Sequence, residues 1–204
     1  MKLDLVSSSA LAIFTTREYA RLSGMSVTTA SRQLGRLEQD NRSLVRLTRG
    51  VWANTSHPQF SALACIPVLL GPEHGYVSFL TALHLRGAIS QIPGSIQVAT
   101  TGHTRRLKTP VGLFEFLQLK TDMFVHGIEW SDTSRPYRIA TTEKALLDTF
   151  YIATRRNRRF ASLPELHLRD AGFNSRRYRE LMSQLNLPAQ IATAIRQRSG
   201  YLAA

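Results

Sequence analysis

The 204-residue chain has a single cysteine, Cys65, so it can form no internal disulfide and build no cysteine-based zinc cage. A reducing, cytoplasmic location is the expectation that follows. Lysine is scarce too, confined to Lys2, Lys108, Lys120 and Lys144, and acidic residues number 14 against 26 Lys and Arg. Long apolar runs are missing: the most apolar, Ala62 to Leu70, is about half of the roughly 18 residues a membrane-crossing helix requires. No membrane span is expected, and Asp4 with Ser7, Ser8 and Ser9 interrupts any signal-peptide core at the start.

What remains is 43% hydrophobic and 20% charged, enough to bury an ordinary core and to exclude disordered and collagen-like classes. The formal charge of +12 is carried almost wholly by arginine. The planar fork of arginine suits phosphates and guanine edges, so a polyanion, with nucleic acid foremost, is the expected partner.

A cluster of turn-formers, Asn54 to Pro58, marks a compositional seam and an expected boundary between domains 1–57 and 58–204. In the first, Thr15 and Glu18 stand in a capping-box relation that predicts a helix over about 16–23, closed by Gly24. Ser26 caps a second helix, in which Val27, Ala30, Leu34 and Leu37 share one face. Segments 44–47 and 51–53, around Thr48-Arg49-Gly50, read as a hairpin. Helix, turn, helix and hairpin make an N-terminal winged helix-turn-helix.

In the second domain, Ser56 with Pro58 predicts a helix that ends or bends near Pro67, and Ser78 one that stops at Gly87. Segments 95–101, 113–119, 124–130 and 137–140 are rich in β-branched and aromatic residues and suggest a small sheet. Thr142 is read as the cap of a helix to about 155, with alternating polar and apolar faces. A capping box at Ser162 to Glu165 predicts a further helix, followed by two over about 175–185 and 189–197. The fold class is α+β, a winged helix followed by a mixed α/β domain with a helical C-terminal third.

The constellation that points most directly to chemistry is the outer face of the second helix. A recognition helix needs short hydroxyls, amides and arginine to reach base edges in the major groove, and Ser26, Thr28, Thr29, Arg32, Gln33 and Arg36 supply them. Arg46 and Arg49 would lie on the wing, against phosphate or the minor groove. A second basic set joins Arg155, Arg156, Arg158 and Arg159 to Arg105, Arg106 and Lys108, read as an earlier loop, and to Arg176, Arg177 and Arg179 further on. It either extends a nucleic-acid footprint or decorates a helix C-terminus with cations that complement its macrodipole.

Catalytic signals are poor. The six histidines include no helical HExxH pair, and neither Gly-x-Ser-x-Gly, Gly-x-Gly-x-x-Gly nor a P-loop occurs. The acid-x-Lys triplet of metal-dependent nucleases is missing as well. No enzymatic activity, metal or cofactor is therefore expected, and Cys65, in its apolar run, reads as a buried small hydrophobe.

Arg46-Leu47-Thr48-Arg49-Gly50-Val51-Trp52, then Gly75-Tyr76-Val77-Ser78 leading into Thr81-Ala82-Leu83 and Gly87, and then Ile139 through Asp148 occur in this order. Together they resemble the AbiEi antitoxins, the regulator halves of bacterial type IV toxin-antitoxin and abortive-infection operons. The resemblance implies a winged helix that binds inverted repeats in its own promoter as double-stranded DNA and represses the operon. It further implies a C-terminal antitoxin domain that counteracts a nucleotidyltransferase-like toxin without forming a stable complex with it. Within the last motif, Glu143 is expected to meet the positive helix end, and Asp148 to bond an arginine or a backbone amide. Two other readings stay open from the sequence: a nucleic-acid-processing enzyme, and a ligand-responsive winged-helix transcription factor.

Overall fold

In a computed structural model of the chain, residues 11–40, 42–124, 126–155, 159–160, 162–185 and 187–202 are described. They form a mixed α and β fold divided into two compact units. The first comprises residues 1–72, 107–113 and 132–137, and the second 73–106, 114–131 and 138–204. The turn cluster 54–58 thus lies inside the first unit.

In the first unit, β1 (Ile13–Thr15) leads directly into α1 (Thr16–Ser23). The capping box forms as read: Glu18 N–H donates to Thr15 Oγ1, and Thr15 N–H donates back to the Glu18 carboxylate at 2.6 Å. Gly24 ends the helix at φ 65, a left-handed position that favours glycine, and Met25 N–H closes the turn on the Ala20 carbonyl at 2.9 Å. Next comes α2 (Val27–Asp40), then β2 (Leu44–Thr48) and β3 (Val51–Asn54), paired antiparallel with β1 in the order β1-β3-β2. Leu11, Phe14, Tyr19, Ala20, Ala30, Leu34, Leu44 and Trp52 form one buried cluster, with Leu37 packed at its edge. Val27, expected on that buried face, is instead 50% exposed. It is the first residue of α2 and lies outside that cluster.

The helix expected from Ser56 is not present. A 3-10 turn at Leu63–Cys65 leads into the short α3 (Ile66–Leu70), and Pro67 stands at its start, where a missing N–H is harmless, rather than at an end.

The six-stranded sheet runs in the order β6-β7-β5-β4-β9-β8. Its strands are β4 (Gly75–Val77), β5 (Ile96–Thr100), β6 (Arg105–Thr109), β7 (Gly112–Gln118), β8 (Ile128–Trp130) and β9 (Arg138–Ala140). Parallel pairs β5/β7 and β4/β9 alternate with antiparallel pairs β4/β5 and β8/β9. The segment expected as a strand over 124–130 contributes only its last three residues.

Four helices complete the second unit: α4 (Phe79–Leu85), α5 (Thr142–Ala153), α6 (Ser175–Gln184) and α7 (Ala189–Ser199). α5 packs against α4, α6 and α7, and all twelve of its residues are buried, so it has no polar outer face. Its cap is Thr141, whose hydroxyl accepts from Lys144 N–H, and Thr142 is the first helical residue. No helix forms at the Ser162 capping box. There His167 N–H is bound to the Ala88 carbonyl at 2.8 Å and Phe173 N–H to the Leu168 carbonyl at 3.0 Å, which leaves extended chain and a turn. No helix among the described residues is long and apolar enough to cross a membrane.

Candidate nucleic-acid interface

Three arginines converge in the first unit because local structure turns each toward one cleft. Arg17 stands in the first turn of α1, Arg46 projects from β2, and Arg49 occupies the β2–β3 tip with Gly50 at φ 77. Thr16 fixes the tip: its N–H donates to the Gly50 carbonyl at 2.9 Å, and its hydroxyl accepts from the Trp52 indole N–H, also at 2.9 Å. Arg46 lies opposite Trp52 in the strand register, its guanidinium 5.7 Å from the ring. Arg46 N–H is in turn bound by Glu38 of α2 at 3.1 Å. The resulting cleft, about 620 Å³, is lined by Arg17, Arg46 and Arg49 together with Val27, Ser31 and Trp52.

Along α2, Thr28, Arg32 and Arg36 follow at four-residue spacing and are exposed, while Gln33 is half-buried. Ser26 and Thr29 are also exposed, but their hydroxyls are engaged. Ser26 Oγ accepts from Thr29 N–H at 3.1 Å, and the two hydroxyls bond each other at 2.9 Å. Ser26 caps the helix with Thr29 bound to it, and Thr28, Ser31, Arg32 and Arg36 remain as its outward polar groups. Arg17 has no place in the sequence reading. Its signal was a cation in a helix's first turn, where the macrodipole disfavours it.

In the second basic set, Arg105, Arg106 and Arg159 are paired with carboxylates. Arg105, Arg106 and Lys108 lie on strand β6, not in a loop, and alternate in and out of the sheet as the strand period requires. Arg105 donates to Glu73 at 2.7 Å and lies 4.2 Å from the Phe116 ring centre, while Lys108 is exposed. Arg106 meets the buried Glu115 at 2.6 Å, Arg159 pairs with the same carboxylate, and Ser95 donates to it at 2.9 Å. Burial pushes the Glu115 carboxyl up, but the Ser95 hydrogen bond and the charges of Arg159 and Arg106 outweigh it and hold the group below the usual carboxylate range. Arg155 lies 5.2 Å from the Tyr151 ring centre. Arg156 and Arg158 lie outside the described residues.

The second unit also encloses a polar network that the sequence only hinted at. β4 enters α4 through a sharp turn that holds Phe79 at φ 55, a left-handed conformation costly for a bulky residue. Ser78, just before it, does not cap α4 with its hydroxyl. It donates to Asp148 at 2.7 Å, and Tyr76 donates to the same carboxylate at 2.9 Å. Lys144 pairs with Asp148 one turn away on α5 and donates to Tyr76 Oη at 2.7 Å. All four side chains are fully buried. Burial pushes the Asp148 carboxyl up and the Lys144 ammonium down, each against the attraction of the other, and the Tyr76 phenol is raised by burial and by Asp148. The expected arginine or amide partner of Asp148 is thus a lysine and two hydroxyls.

Glu143 bonds the Asn174 backbone N–H at 2.8 Å, so it and Asp148 have separate partners. Among the described residues no group of three or more His, Cys, Asp or Glu can hold a metal ion. Burial raises the Cys65 thiol to about 12 against the opposing charge of Arg135, which leaves it a poor nucleophile. No protein-family model matches the chain, and no curated protein matches it.

Proposed function

We propose that the chain is a sequence-specific DNA-binding autorepressor in which residues of the first unit act as a winged helix-turn-helix. α2 enters the major groove, and the β2–β3 hairpin serves as the wing. The observation that carries this reading is the exposed stripe Thr28, Arg32 and Arg36 beside a cleft lined by Arg17, Arg46 and Arg49. Hydroxyls and guanidinium groups on a helix face reach base edges, and the flanking cations meet phosphates and set register. Double-stranded DNA bearing inverted repeats, in the chain's own promoter, is the proposed ligand. The antitoxin half of the reading, in which the second unit counteracts a nucleotidyltransferase-like toxin in the cytoplasm without a stable complex, draws on the likeness of residues 75–87 and 139–148 to the AbiEi antitoxins.

Fluorescence anisotropy with a duplex from the upstream region, and with a scrambled duplex, tests the DNA-binding reading. Arg32→Ala should weaken the upstream duplex by about 1–3 kcal/mol and relax base preference, whereas Arg49→Ala should weaken both duplexes alike. Equal losses on the two duplexes for both variants would overturn the assignment of α2. Co-expression with the toxin of the same operon tests the second half: restored growth is expected, and growth arrest despite a folded protein would refute it.

A further inference from the structure

We infer that Val27 reads the C5-methyl group of a thymine in the DNA that α2 enters, an inference that rests on the DNA-binding reading above. Val27 belongs by spacing with Ala30 and Leu34, yet those two are fully buried and Val27 is 50% exposed. The apolar cluster of the first unit does not include it. It lines the arginine cleft instead, on the stripe it shares with Ser31.

An apolar, β-branched side chain among three guanidinium groups gains nothing from water, and it becomes favourable when the cations draw a polyanion over it. In the major groove thymine alone presents a methyl group on its base edge. The start of α2 is also short of free polar groups, because the hydroxyls of Ser26 and Thr29 are bound to each other and Ser26 Oγ also accepts from Thr29 N–H. Val27 therefore meets the base as an apolar contact, with the hydroxyls of Ser31 and Thr28 on the side away from Ala30 and Leu34.

Duplexes recovered from a randomised pool by the full chain supply the probe. Each thymine is replaced in turn by deoxyuridine, which removes only the C5-methyl. For the unaltered chain, affinity should fall about fourfold at one thymine per half-site, the worth of one buried methyl. Val27→Ala should lose a similar factor on the thymine duplex and become indifferent to deoxyuridine there, while Val27→Thr, which keeps a methyl, should stay sensitive. Val27 is half exposed at a helix start, so neither variant removes core packing. Indifference of the unaltered chain at every thymine, or persistent sensitivity of Val27→Ala at the same position, overturns the inference. A pool that yields bound duplexes with no preferred sequence is a different failure, because it overturns the sequence-specific reading first and the methyl contact with it.

Discussion

A fully buried carboxylate persists only when partners answer its lone pairs, and Asp148 has Lys144, Tyr76 and Ser78. Removing one member leaves an unpaired charge in the core. Asp148→Leu should therefore cost about 3–5 kcal/mol, and so should Lys144→Met. The double variant Lys144→Met with Asp148→Leu should lose less than either single change, because it removes the desolvation penalty together with the pair. Urea unfolding of the three variants measures this, and simple addition of the single losses would mean that the pair is not coupled. Asp148 stood out in the sequence as an acid in the middle of a half-buried helix, and Lys144 lies four residues before it. Tyr76 and Ser78 were not, since they lie 72 and 70 residues upstream and only the sheet brings them in.

Elements were legible where their ends carry local chemistry. α1 and α2 begin at side-chain caps and are separated by Gly24, so boundaries set by hydrogen bonds within four residues could be read directly. Long-range packing decided the rest. α5 is covered on every side by α4, α6 and α7, and its few polar residues imitate a solvent face although they point into networks. The Ser162 box has a cap's letters, but the Ala88 carbonyl takes the His167 amide and no helix follows. Short strands such as β4 and β6 escaped notice because three apolar residues, or an Arg-Arg-Leu-Lys-Thr run, carry little strand signal without their neighbours. One element-scale consequence concerns Gly35, inside α2, where an added Cβ would meet nothing within 4 Å. Gly35→Ala should stabilise the first unit by about 0.5–1 kcal/mol through helix propensity alone. Thermal unfolding checks this, and a lowered melting temperature would show that the fold itself needs the glycine.

At the scale of the whole molecule, the charge of +12 is not one undivided field. Arg105, Arg106 and Arg159 are paired with Glu73 and Glu115, and those two carboxylates neutralise part of what the sequence offers as a second basic surface. Arg17, Arg46 and Arg49 line an open cleft with no acid among its lining residues. A cation held by a carboxylate of its own chain is not free to neutralise a phosphate, so the two groups should differ in how salt affects binding. Replacing Arg17, Arg46 and Arg49 together by Gln should flatten the slope of log affinity against log salt by about 2.7, at roughly 0.9 per phosphate contact. Replacing Arg105, Arg106 and Arg159 by Gln should leave the slope unchanged and instead lower thermal stability, since the buried Glu115 carboxylate then loses both of its cations. Anisotropy titrations over a range of salt concentrations, paired with thermal melts, separate the two effects. Equal flattening by both triple variants would mean that the paired arginines exchange Glu73 and Glu115 for phosphate on binding, and the DNA footprint would then extend beyond the cleft.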